Sequence, residues 1–288
     1  MLSVDTRWHI RLGIRKPPLA SFELAVGGQM SRFIDKLNQV SQAEPQAMGF
    51  RAAQAGSAKP KMLLLASLAQ ADVSGVADYV AGADAGLLSI PKSGSGAKTL
   101  QKISQVVSDI PWGGWLGDVG REGIKQMAKA GCDFVVFPAA NTSLAILQDG
   151  EVGKILQVEA SLSEGLLRAI NELPIDAVLI AGEQEAGYFL TWHHLMLFRR
   201  FANLLTKPLL VSVPLDVTAN ELQALWDAGV DGVIVEVGAG KPAGGLEGLR
   251  QAIDKLTFPS LRKRGKTEAL LPYIGRETDV TTEEEEEE

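Results

Sequence analysis

The chain is predicted to be an α/β protein, a (β/α)8 barrel with a short N-terminal helical extension and disordered tails. Three observations predict it. A short phrase recurs, as Ala81-Gly82-Ala83-Asp84, Ala130-Gly131-Cys132-Asp133 and Ala228-Gly229-Val230-Asp231, with a looser version at Leu173-Pro174-Ile175-Asp176. Helix ends commonly need a left-handed residue, which Gly adopts without a Cβ clash, and the Asp then turns the chain into a strand. Eight short apolar runs follow one another: Met62–Ala66, Gly86–Ile90, Gly113–Leu116, Phe134–Phe137, Ile155–Glu159, Ala177–Ala181, Leu209–Val213 and Val233–Val237. They are mostly continuous Val, Ile and Leu, as strands buried on both faces should be. Their first residues are 24, 27, 21, 21, 22, 32 and 24 positions apart, one βα unit per step. Eight such units close most naturally into a barrel, which typically needs about 250 residues; an open doubly wound sheet is the alternative.

The elements follow in order. Residues 1–29 mix Arg7, Arg11, Arg15 and Lys16 with Asp5, Glu23, Pro17 and Pro18, and no apolar stretch suits a secretory signal. Met30-Ser31-Arg32-Phe33 reads as a more natural start than Met1, so 1–29 is expected to be upstream sequence or a disordered extension. A helix is predicted over 31–42, followed by a Gly/Ala/Pro-rich connection and then the barrel, the domain spanning 30–258. The third strand is the least secure, since Pro111-Trp112-Gly113-Gly114-Trp115 also suits a loop. Ser161-Leu162-Ser163-Glu164 and Thr218-Ala219-Asn220-Glu221 fit capping boxes at helix starts, and Gly131 and Gly229 fit helix ends. Residues 259–288 run from Arg262, Lys263, Arg264 and Lys266 to Glu283–Glu288; like charges in a row repel, so a disordered basic-then-acidic tail is expected.

Composition narrows the partners. With 288 residues, 46% of them apolar, the chain can bury a large core. A net charge of −7 argues against a nucleic-acid footprint. The single cysteine, Cys132, excludes an intramolecular disulfide, suits a reducing cytoplasm, and reads as a buried structural thiol. No apolar run approaches the roughly 18 residues of a membrane span.

The run from Trp226 through Ala228-Gly229-Val230-Asp231 to Gly238 resembles the last βα turn of aldolase-type, phosphate-binding TIM barrels. The resemblance covers roughly residues 60–256 and rests on architectural motifs. It implies a site at the C-terminal ends of the strands. Asp84, Asp133, Asp176 and Asp231 stand at the opposite end, so they are expected to bond local backbone. The exits carry Ser67, Ser89, Lys92, Asp118, Asn141, Glu159, Glu183, Ser212, Asp216 and Glu236. Carboxylates crowded on one rim can hold Mg²⁺ or divide into a general acid and base. Glu159 and Glu236, read as lying within strands, are the expected acid/base pair. Asp118 is expected to share that catalytic work, and Asp118 with Glu183 to ligate a metal or substrate.

An anion site is expected after strand 8, at Gly238-Ala239-Gly240-Lys241-Pro242-Ala243-Gly244-Gly245. Glycines let backbone amides approach an anion, and a helix start favours negative charge. Gly238, Gly240, Lys241, Gly244 and Gly245 are its residues, with Lys92 as a further cation. Against it, Pro214-Leu215-Asp216 replaces the usual Gly-rich turn after strand 7, and Glu247 adds negative charge. Lys92 lies in a segment lacking the spacing of a nucleotide-binding loop. No lysine is placed for a Schiff base, and His9, His193 and His194 lie off the strand ends, which disfavours class I aldolase and His-metal chemistry.

Residues 188–205 carry Tyr188, Phe189, Leu190, Trp192, Leu195, Met196, Leu197, Phe198, Phe201, Leu204 and Leu205, an apolar surface wider than one helix stripe. It is expected to be a homo-oligomer interface, or else packed under the long loop after strand 6. The expected function is an enzyme of lyase, isomerase or synthase type acting on a small anionic metabolite by carboxylate acid/base chemistry. An FMN-dependent oxidoreductase and a non-catalytic binding or assembly barrel are the alternatives.

Overall fold

A computed structural model describes residues 31–42, 61–68, 75–92, 96–118, 121–148, 152–181, 188–238 and 245–257. The readings of 1–29, of Met30 as the start and of the 259–288 tail lie outside the described residues.

Eight parallel strands close into a barrel in sequence order. They are β1 (Leu63–Leu68), β2 (Ala85–Lys92), β3 (Trp112–Asp118), β4 (Phe134–Pro138), β5 (Gly153–Val158), β6 (Ala177–Ile180), β7 (Leu209–Val213) and β8 (Gly232–Val237). The helices are α1 (Arg32–Ser41), ahead of the barrel, then α2 (Val76–Tyr79), α3 (Gly96–Val106), α4 (Arg121–Lys129), α5 (Glu164–Ile170), α6 (Trp192–Leu204), α7 (Ala219–Ala228) and α8 (Gly245–Asp254). The segment Trp112–Trp115 is strand, not loop, with Pro111 just ahead of it. Among the described residues, the connection from β4 to β5 holds a 3-10 turn, Leu144–Gln148, and no α-helix.

Strand ends differ from expectation in ways that matter for the site. The first strand continues through Ser67 to Leu68, so Ser67 lies within β1. β2 likewise contains Ser89 and ends on Lys92. The fifth strand starts at Gly153 and stops at Val158, which leaves Glu159 just past it rather than within it. Capping also corrects one expectation. Ser163, not Ser161, caps α5, while Ser161 Oγ donates to Glu159 Oε2 at 3.2 Å. The Thr218–Glu221 box forms as expected at α7. Gly229 ends α7 at φ +99°, where a side chain would be strained.

The recurrent aspartates form clamps at the strand entrances. Asp84 N–H donates to the Leu64 carbonyl at 2.8 Å, and Leu64 N–H donates back to Asp84 Oδ2 at 2.9 Å. Asp176 does the same with Lys154 (2.8 and 2.7 Å), and Asp231 with Leu209 (2.8 Å each way). Each clamp ties the Asp before an even-numbered strand to the odd-numbered strand preceding it. An entering strand offers backbone donors that the ladder does not yet satisfy, and a carboxylate satisfies them.

The fourth copy is diverted. Asp133 N–H still bonds the Trp112 carbonyl of β3, but its carboxylate accepts from Ser31 Oγ (2.7 Å), Arg32 N–H (2.9 Å) and Phe33 N–H (2.9 Å). It thereby satisfies orphan donors at the start of α1. Phe33 then lies 4.4 Å, centroid to centroid, from Phe134 at the barrel's N-terminal end. A Cβ on Gly153 would strike Ile34 and Ser31, so helix and barrel meet there without a gap. Phe33, Ile34, Leu37 and Val40 are buried, and α1 closes that end.

Cys132 is buried and its Sγ–H donates to the Phe134 carbonyl at 3.0 Å. Burial, offset in part by backbone hydrogen bonds, pushes its pKa from 9.0 up to about 12. These contacts are open to measurement. Asp231→Ala strips the acceptor from a fully buried site and costs about 2–3 kcal/mol in urea denaturation; Asp84→Ala, at a half-exposed site, costs less. The raised thiol pKa gives stability that is complete below about pH 9 and lost as pH rises from there toward about 12, because the unfolded thiol ionises first. Stability of Cys132→Ala, measured in parallel, lacks that alkaline fall.

Candidate active site

Along each strand alternate side chains face the barrel interior. Glycines fix which ones. A Cβ on Gly113 would strike the Phe134 ring, whereas one on Gly114 would meet Met127 of α4 outside the barrel. Register carries the assignment round: Ser67 pairs with Leu87 and Leu87 with Gly113, while Ser89 pairs with Trp115 and Trp115 with Val136. Paired residues run in rows that climb round the barrel, so level side chains come from alternate strands.

The interior then resolves into levels. Leu65, Gly113, Ile155 and Leu210 form one from the odd strands, and Leu87, Val136, Leu179 and Ile234 the next from the even strands. All are buried. The level above changes character: it is Ser67, Trp115, Gln157 and Ser212. Ser89, Pro138, Ala181 and Glu236 stand above that. Trp115 and Gln157 are half-buried, as are all of this upper set, so solvent enters the barrel down to the polar level and no further.

Trp115 Nε1–H donates to Gln157 Oε1 at 2.7 Å. Their strands, β3 and β5, are not neighbours, so the bond crosses the interior. Ser212 is 8% exposed, and its Oγ is buried with no hydrogen-bond partner. A buried hydroxyl left unpaired costs about 1–3 kcal/mol, and in a native protein it asks for a reason.

The expected site residues fare differently. Glu236 faces inward, half-buried, beside Ser67 in the register of β8 against β1. Glu159 is exposed beyond β5, two residues above Gln157. Asp118 and Lys92 are the last residues of β3 and β2 and are paired in register. Gly238 follows β8 at φ +130°, and Gly245 opens α8. Gly240, Lys241, Gly244 and Glu183 lie outside the described residues, as do the side chains of Lys92 and Asp118. Asn141 and Asp216 are exposed in the turns after β4 and β7. Among the described residues no group of three or more His, Cys, Asp or Glu could hold a metal ion.

Trp115 and Gln157 join the site from outside the expected set. Strict alternation back from Glu159 points to Gln157, but Trp115 sits in the segment whose sequence suits a loop as well as a strand. His194 serves the backbone: its Nδ1 accepts from Thr191 N–H at 3.1 Å, completing a capping box at α6. The apolar width of 188–205 divides in two. Phe198, Phe201, Ala202 and Leu205 pack into the core, while Phe189, Trp192 and Met196 face solvent.

No family model matches the chain, and no curated protein does. Solved structures do. A mutant form of the tryptophan synthase alpha-subunit from Pyrococcus furiosus superposes with a TM-score of 0.53 at 13% identity, over 67% of this chain and 97% of that chain. Another mutant form of the same subunit gives 0.52 at 13% identity over the same shares. The likeness is one of fold, that of a (β/α)8 barrel. No helix among the described residues is long and apolar enough to cross a membrane.

The unpaired hydroxyl gives a test by contrast. Ser212→Ala leaves the unfolding midpoint of ligand-free protein unchanged or raises stability by up to about 1 kcal/mol, whereas Gln157→Leu, which strips the Trp115 indole of its acceptor, costs about 1–3 kcal/mol.

Proposed function

We propose that this protein is a barrel enzyme of lyase, isomerase or synthase type, acting on a small anionic metabolite by carboxylate acid/base chemistry at the C-terminal mouth. The observation that carries the reading is the change of the barrel interior from sealed apolar levels to the polar level of Ser67, Trp115, Gln157 and Ser212 directly beneath Glu236. A structural core has no need of such a level, and each polar group placed there must find a partner. A substrate seated on it meets a flat indole, an amide and two hydroxyls, with a carboxylate above.

In this reading Glu236 is the principal acid/base group, because it faces the cavity from within a strand and is partly desolvated. Glu159, exposed on the rim and bonded by Ser161, is the second carboxylate. Asp118 stands at the end of β3, level in register with Lys92. The anionic end of the substrate lies toward the start of α8, where the helix dipole favours negative charge. Gly238 and Gly245 bracket that turn, and Gly240, Lys241 and Gly244 within it, with Lys92, complete the anion site. Glu183 and Asp118 are the candidate ligands of a divalent ion.

Native mass spectrometry of protein purified gently from its own source is the first test, and a co-purifying small anion is expected. Turnover of that compound falls by about 10²–10⁴-fold in Glu236→Gln, with the unfolding midpoint unchanged, and falls less in Glu159→Gln. Equal turnover in wild type and Glu236→Gln would overturn the assignment.

A further inference from the structure

On the outer wall, at the end of the barrel where the mouth opens, a cleft of about 460 Å³ runs between the start of α6 and the first half of α7. Its apolar lining is Phe189, Leu190, Trp192 and Leu195 on one side and Ala224 and Leu225 on the other. Phe189 and Trp192 are 70% and 81% exposed, and Met196, one turn further along the same face, is 70% exposed. Trp192 and Met196 share one face of α6 four residues apart and Phe189 lies just ahead of the Thr191 cap, so three large side chains left in water make one unsatisfied apolar patch rather than scattered exposure.

The chain itself arrives beside this cleft. Thr257, the last described residue, is held by the side-chain amide of Gln223 in the middle of α7. Thr257 N–H donates to Gln223 Oε1 at 2.9 Å, and Gln223 Nε2–H donates to the Thr257 carbonyl at 3.1 Å. Gln223 is adjacent to Ala224 and one turn from Asn220, which also lines the cleft. Both backbone groups of Thr257 are thus fixed on the helix that forms one wall.

What continues from Thr257 suits the cleft in order, charge and reach. Arg262, Lys263, Arg264 and Lys266 come first. α7 carries Glu221 and Asp227 and no basic residue, and exposed Asp216 precedes it, so a basic strand crossing this helix meets acidic groups. Then comes Ala269-Leu270-Leu271-Pro272-Tyr273-Ile274, the apolar block of the C-terminal segment. Residues 258–268 extend to at most roughly 40 Å, against about 15 Å for the length of α7, so the block reaches the cleft with slack.

We propose that residues 269–274 dock in the α6–α7 cleft and cover Phe189, Trp192 and Met196, with the basic run 262–266 lying across α7. The occupant is this chain's own segment rather than a second copy, the partner expected for 188–205 from sequence. Tethering at Thr257 holds the segment near its site at an effective concentration set by a short linker, of millimolar order, which a free partner would need to match.

The test uses the full chain with two introduced cysteines, since Cys132 is buried and stays protonated at working pH. Ala224→Cys with Ile274→Cys is compared with Gln126→Cys with Ile274→Cys, the latter placing its partner thiol on exposed α4. Mild oxidation of the first pair is expected to give an intramolecular disulfide at least ten times faster than the second. Hydroxyl-radical footprinting of the unmodified chain is expected to show Phe189, Trp192 and Met196 protected, and Leu271→Ser with Tyr273→Ser to restore their labelling. Equal disulfide rates in the two pairs, or labelling insensitive to those serine changes, overturns the proposal. A disulfide-linked dimer as the main product overturns it in favour of a second copy.

Discussion

Four aspartates at the foot of the barrel hold its register. Because side chains alternate with a period of two, a slip of one residue between neighbouring strands would turn every inward group outward. Where an Asp takes a strand-entrance amide and donates its own N–H to the same residue, the pair of strands cannot slide without breaking both bonds at once. The levels inside the barrel, and the single polar level among them, exist only because that register is kept. The fourth clamp shows the same chemistry redirected: Asp133 keeps its N–H bond to the Trp112 carbonyl, while its carboxylate accepts from Ser31, Arg32 and Phe33 of α1 and its cap instead of from the Trp112 amide.

The clamps also reveal a unit larger than one strand. They precede β2, β4, β6 and β8 and bind back to β1, β5 and β7 fully and to β3 through one bond. The barrel is therefore built from quarter units of two strands, each sealed at its entrance. That arrangement explains why the recurring phrase appears four times rather than eight, a spacing the sequence displays but does not interpret.

Most of the architecture was legible because it depends on local signals. Gly229 marks a left-handed helix end, Thr218 and Glu221 a cap, and continuous Val/Ile/Leu a strand buried on both faces. The site was legible only in part. Glu236, Ser67, Ser89 and Ser212 could be named because each is a polar residue in or beside an apolar run. Gln157 was within reach by alternation back from Glu159, but Trp115 and the pairing of the two were not, since that bond joins β3 to β5 across the barrel and is fixed by register, which no single segment encodes. Glu159 was misplaced for a related reason: a strand boundary moved by one residue carries a side chain from the wall to the open rim. His194, which the sequence already placed off the strand ends, is a chemically versatile residue spent on helix capping, its Nδ1 accepting from Thr191 N–H.

Phe33 seated on Phe134, with α1 held over the end of the barrel by Asp133, backs an interior that the apolar levels already fill. The hollow at the mouth is therefore blind, with a single opening. In the enzyme proposed above, what binds and what leaves would share that opening, so a product held there would exclude the next substrate, and inhibition by product would take the competitive form.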